Sequence, residues 1–186
     1  MPQYIAFLRG INVGGHRVKM DRLRTLCTEL GLKDVSTFIA SGNVLFSTDS
    51  DDVNGLQETI EGHLMNQLGY EVATFLRSPA ELGAITARNP PETVARNPSV
   101  LSHYVIFLDA PTPDSLRSEL TQASSEMDHF QFFETEVHWH IQGKLTESPL
   151  FSGSALDRAT RGVRTTMRNM NTLRRIASKA GPPEAA

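Results

Sequence analysis

Short apolar runs and helical apolar stripes follow one another along the first half of the chain in an order that admits few folds. Tyr4 to Leu8 is an apolar run of strand length that stops at Arg9-Gly10, where a glycine-rich loop begins. Met20, Leu23, Leu26, Cys27 and Leu30 then recur at helical spacing, with Asp21 in the first turn and Gly31 just past the end. Val35 to Ala40 and Val44 to Ser47 read as two strands around the turn residues Ser41-Gly42-Asn43. Ser50, Asp51 and Asp52 can cap a second helix whose stripe is Val53, Leu56, Ile60, Leu64 and Leu68, ending at Gly69. Val72 to Leu76 is a fourth strand. The order β-α-β-β-α-β is that of a ferredoxin-like sheet.

The second half echoes the first. Ser78-Pro79-Ala80-Glu81 has the form of a capping box with proline at the first helical position. Asn89 to Pro98 holds three prolines and reads as a connector; around it runs a short echo, Ala87-Arg88-Asn89-Pro90 and Ala95-Arg96-Asn97-Pro98, with no structural repeat implied. His103 to Leu108 is a strand, and Thr112-Pro113 starts a helix running to about Ala123. Phe130 to Phe133 and Val137 to Ile141 are strands, and Ser154 to Ala159 is a short helix. Met167, Met170, Leu173, Ile176 and Ala177 predict a final helix in place of a last strand. The expected fold class is therefore α+β with two small subdomains. Residues 1–88 form the first, ferredoxin-like (βαββαβ); residues 89–186 form the second, α/β with a helical C-terminal end and a frayed tail at 181–186.

The topology brings distant polar residues together. In a ferredoxin-like sheet the first and third strands are central antiparallel neighbours, so the end of one lies beside the start of the other. That puts Arg9, Gly10, Asn12, Gly14 and Gly15 next to Ser41, Gly42 and Asn43. Backbone N–H groups and small side chains clustered at one sheet edge can hold an anion or a carbonyl. The pattern predicts that Gly14 or Gly15 takes a positive φ. A third polar run, Thr165 to Thr172, includes Arg168 and Asn169. Read as the start of the last helix, capped by Thr165 or Thr166, it is a second candidate anion site.

Other chemistries fit the residues less well. Gly10 and Gly15 have P-loop spacing, but His16-Arg17 follow where Lys and Ser/Thr are required. Ser41 has no identifiable base, so nucleophilic catalysis is not assigned. His138 and His140 project from one strand face, but no third ligand is evident, so no metal site and no cofactor are predicted. Cys27 lies on an apolar stripe and reads as a buried structural thiol.

With 39% hydrophobic residues, 21% charged residues and a net charge of −3, the chain reads as a folded protein. A balance on the acidic side speaks against a nucleic-acid partner, and the first strand lacks the aromatic pattern of base-stacking RNA binders. A local basic patch from Arg22, Arg24, Arg158, Arg161, Arg164, Arg168, Arg174 and Arg175 keeps a nucleic-acid-associated module as the second reading, and a homo-oligomeric interaction module as the third. The expected partner is a small anionic ligand. Without a signal peptide or a spanning apolar segment, the expected place is the cytoplasm, with no membrane partner.

These blocks carry a resemblance. Phe7-Leu8-Arg9-Gly10-Ile11-Asn12-Val13-Gly14-Gly15, Thr37 to Phe46, Arg77-Ser78 and Thr165 to Thr172 together resemble the bacterial family called domain of unknown function 1697. The resemblance implies two α+β subdomains with a helical C-terminal end, and it implies no reaction. It also marks one departure: relatives usually carry Trp where this chain has Met170.

Overall fold

The computed structural model describes residues 1–96 and 99–181. Asn97 and Pro98 of the echo, and the tail expected to fray apart from Gly181, therefore lie outside the described residues. The chain divides into two compact units. The first holds Met1–Ile85 and the described residues from Arg175 onward; the second is Thr86–Arg174. The dividing point thus differs from the expected 88/89, and the end of the last helix counts with the first unit.

In the first unit, β1 (Gln3–Leu8), β2 (Lys33–Thr37), β3 (Asn43–Ser47) and β4 (Thr74–Arg77) form an antiparallel sheet in the order β2-β3-β1-β4. The helices are α1 (Met20–Glu29) and α2 (Val53–Leu68). This is the ferredoxin-like order. Ala6, Leu8, Val44, Phe46 and Leu76 face the helices and pack with Leu23, Leu26, Cys27, Ile60 and Leu64. Each of the leucine, isoleucine, valine and phenylalanine side chains contributes about 1.5–3 kcal/mol by leaving water. The α2 boundaries are set chemically. Asp52 accepts a hydrogen bond from the Gly55 N–H (3.0 Å), and Gly69 closes the far end at φ 78° with its N–H on the Met65 carbonyl.

After α3 (Pro79–Ala87), a short helix, α4 (Glu92–Ala95), sits where only a connector was expected. The capping box at α3 is present: Ser78 N–H donates to Glu81, and Glu81 N–H donates to Ser78 Oγ.

The second unit repeats the plan. Its strands are β5 (Val100–Leu108), β6 (Asp128–Phe132), β7 (Glu136–Gln142) and β8 (Thr165–Asn169). They form an antiparallel sheet in the order β6-β7-β5-β8. α5 (Asp114–Ala123) follows β5. A 3₁₀ turn (Leu145–Glu147), α6 (Pro149–Ser152) and α7 (Ala155–Ala159) join β7 to β8, and α8 (Met170–Ala180) follows β8. Ile106, Leu108, Val137, Trp139 and Ile141 face the helix-side core with Leu116 and Leu120. The Trp139 indole N–H donates to Asp128 Oδ1 (2.8 Å), which also accepts from Ser148 Oγ.

β8 corrects the sequence pattern. Thr165 to Asn169 is a strand paired with β5, so the second unit has a last strand and Arg168 is not in the first turn of the final helix. Two β-branched threonines favour the pleated surface. The methionines at 167 and 170, three apart, imitate a helical stripe, but the first belongs to the sheet and the second starts α8.

Candidate functional site

At the end of β1 the chain passes into the loop expected from its glycines, and the loop does meet the β2–β3 turn. The Leu8 N–H donates to the Gly42 carbonyl (2.8 Å), and Asn12 Nδ2 donates to the Ala40 carbonyl (3.0 Å). Asn12 also clamps the far side of the loop: Nδ2 reaches the Val18 carbonyl (3.2 Å), and Oδ1 accepts the Val18 N–H (2.8 Å). Gly14 and Gly15 take φ of 58° and 92°. Gly42 has φ 71°, and a Cβ there would lie 3.0 Å from the Ile11 Cβ, so this position needs glycine on two counts.

The candidate residues of the first unit divide by role. Asn43 is fully buried and donates to the Phe38 carbonyl and to Ser41 Oγ (3.0 and 2.9 Å). Its amide and that of Asn12 hold the two turns in shape. Residues 13–17 are exposed between them, with Arg9 and Lys19 exposed at either end. Arg9, Arg17 and Lys19 make this segment basic, and no acid occurs from Arg9 through Met20. The His16 ring stacks on Tyr70 with centroids 3.7 Å apart. Ile39, in the opposing turn, is half exposed at φ 51°, a strained conformation for a β-branched residue.

Arg168 and Asn169 belong to the second unit. Arg168 is buried and donates to Thr166 Oγ1 and to the Met167 carbonyl (both 2.9 Å); burial pushes its guanidinium down to about 10, still cationic at neutral pH. Asn169 Oδ1 accepts the Asn171 N–H and so caps the start of α8. The arginines expected to form a C-terminal patch are not one exposed face. Arg164 pairs with Asp109 (2.8 Å), Arg168 is buried, and the Arg175 guanidinium lies over the Phe38 ring (5.0 Å).

The second sheet also carries a polar face that sequence reasoning only half found. Glu136, His138 and His140 alternate along β7 and share the face turned away from Trp139. His140 stands opposite His103 of β5, and the two rings stack at 3.9 Å. His103 Nε2 lies 3.2 Å from His138 Nδ1. His140 Nε2 lies 3.2 Å from Gln131 Oε1, to which it donates. His138 is fully buried, and its Nε2 has no hydrogen-bond partner among the described residues. Burial, together with the neighbouring imidazoles, holds His103 and His138 down to about 3 and His140 to about 4, so all three rings are neutral at pH 7. Beside them Arg88 donates twice to Glu136 Oε1 (Nε 3.1 Å, Nη2 2.5 Å) and lies 3.7 Å above the Phe133 ring. His103 was findable. Once the second half repeats the β-α-β-β order of the first, its first and third strands must be neighbours.

Two four-stranded sheets with the same strand order define a tandem ferredoxin-like α+β protein. The profile described as "Protein of unknown function (DUF1697)" matches residues 1–138, and the chain belongs to that family. The fold is shared with the conserved bacterial protein SP0830 from Streptococcus pneumoniae, at a TM-score of 0.79 and 22% identity, over 97% of this chain and 98% of that one. No curated protein matches the sequence. No described helix is long and apolar enough to cross a membrane.

Proposed function

We propose that the protein binds a small anionic ligand at the β1–α1 loop of the first unit, in the cytoplasm. The observation that carries this reading is the loop itself. Hydrogen bonds from Leu8 and Asn12 fix it at both ends, while the stretch between is exposed, glycine-rich and bears Arg9, Arg17 and Lys19. A tight backbone turn can gather successive N–H groups into a concavity that favours anions. In this role Gly14 and Gly15 supply N–H donors, Arg9 and Arg17 supply charge, and Ser41 supplies a hydroxyl from the facing turn. Gly42, Asn12 and Asn43 hold the frame. Strain at Ile39 agrees with a turn kept in place for its position rather than for stability. Arg168 and Asn169 belong to the second unit, and the proposal does not draw on them.

Isothermal titration of the full chain with phosphate, pyrophosphate and citrate tests the reading. Binding of one of them at one equivalent, weakened about tenfold in Arg17→Gln, corresponds to the loss of roughly 1.4 kcal/mol expected for one charged contact. No heat from any of the three, with the wild type folded, would sink it.

A further inference from the structure

We propose that His103, His138 and His140 form a binding site for a divalent transition metal of the zinc class in the second unit. The inference goes beyond the loop site and does not depend on it. One nitrogen of each ring lies within 4.8 Å of the others, and the closest pair, His103 Nε2 and His138 Nδ1, is at 3.2 Å. Two imidazoles bound to one tetrahedral zinc at about 2.0–2.1 Å are separated by roughly 3.3 Å. One pair already has that spacing, and the third ring needs to swing by at most roughly 1.5 Å.

The surroundings favour a ligand over simple packing. Three neutral imidazoles crowded on a sheet face bring together polar atoms that hydrogen-bond poorly to one another. His138 shows the cost: whichever tautomer it takes, its fully buried ring leaves Nε2 unpartnered among the described residues. A cation between His103 Nε2 and His138 Nδ1 would take a lone pair from each ring in place of the one hydrogen bond they now share, with the His138 proton then on Nε2. Donation from His140 Nε2 to Gln131 Oε1 leaves the Nδ1 lone pair of that ring free. Rotation of His103 or His140 out of their present stacking is the one rearrangement required.

The donor set selects the metal. All three donors are neutral nitrogens, which suit zinc, copper, nickel and cobalt; calcium and magnesium need oxygen donors. Glu136 lies on the same face, but its oxygens accept from Arg88 and Thr135. Three protein ligands leave a fourth position for water or an anion. His103 is only partly buried, and this gives the ion a route from solvent.

The test uses tag-free, chelator-treated full-length protein. Equilibrium dialysis against Zn²⁺ is expected to give one equivalent per chain, and Co²⁺ in its place is expected to give the visible absorption of a low-coordinate nitrogen site. His103→Gln, at a partly exposed position that tolerates the change, and His140→Gln are expected to weaken zinc binding at least tenfold. His129→Gln, outside the trio, is expected to leave it unchanged. A folded wild type that takes up no stoichiometric zinc overturns the proposal. So does a folded His103→Gln variant that binds as well as wild type, since the metal is then held elsewhere.

Discussion

Asn12 shows how much one side chain can fix. Its amide makes three hydrogen bonds, to both groups of Val18 and to the carbonyl of Ala40, and so ties the loop to itself and to the opposing turn. Asn12→Ala leaves these backbone groups to water at the loop and is expected to cost about 1–3 kcal/mol in urea unfolding, with weaker anion binding as the loop loosens. An unchanged denaturation midpoint would remove Asn12 from its structural role. Cys27 allows a pH test at the same scale. Burial raises its thiol from 9.0 to about 11. The folded state therefore favours the protonated form more than the unfolded state does. That contribution is fully present below pH 9 and is lost as pH rises through 11. Cys27→Ala loses some packing at every pH, but its stability should fall less steeply than that of wild type between pH 8.5 and 10.5. Parallel slopes would show that this thiol is not differentially protonated.

At the scale of elements, the β2–β3 turn carries the clearest prediction. Ile39 holds φ 51° with 46% of its surface exposed, so its side chain gains little by burial while its backbone is strained. A β-branched residue in this region costs about 1–2 kcal/mol relative to glycine. Ile39→Gly should therefore raise stability by roughly 0.5–1 kcal/mol once the entropy of the new glycine in the unfolded chain is subtracted. A destabilised variant in thermal melts would mean that Ile39 packs on something in solution. The same turn explains an error of boundary. The sequence pattern runs β2 on from Val35 to Ala40, whereas the strand is Lys33–Thr37, because apolar Phe38 and Ile39 look strand-like and left-handed backbone leaves no mark on composition. The first unit was otherwise legible, since its helices have clear stripes and β1 runs out at Arg9-Gly10. β8 was not. Both of its faces are largely buried, so no alternation of polar and apolar residues signals a strand. The glycine loop and its partner turn were legible for a topological reason, and the histidine trio was missed for lack of the same step applied to the second half.

Across the whole molecule, the two units place the same kind of residue at the same register. Ile5 pairs with Arg77 across β1 and β4, and Val105 pairs with Arg168 across β5 and β8. Phe7 and Phe107 are matched in the same way, as are Leu8 and Leu108, one pairing position further on. Both arginines are more than nine-tenths buried. Each donates from Nη1 to the carbonyl of the residue before it, at 2.7 Å in Arg77 and 2.9 Å in Arg168; Arg77 ends the last strand of its sheet, and Arg168 is the last residue but one of its own. Cationic groups are rarely this buried unless the fold holds them with hydrogen bonds, because desolvation costs several kcal/mol. Equivalent placement therefore implies equivalent energetics. Arg77→Met and Arg168→Met retain most of the side-chain volume and remove the charge and its donors. Each is expected to lower stability in urea unfolding by about 3–5 kcal/mol, the range for breaking a buried charged pair, and the two losses should agree to within about 1 kcal/mol. Arg→Lys at either site should recover little, because an ammonium cannot reproduce the planar set of donors. If one methionine variant were neutral and the other severe, the likeness between the units would stop at topology, and the buried arginine of the severe variant would have acquired a role that its counterpart does not share.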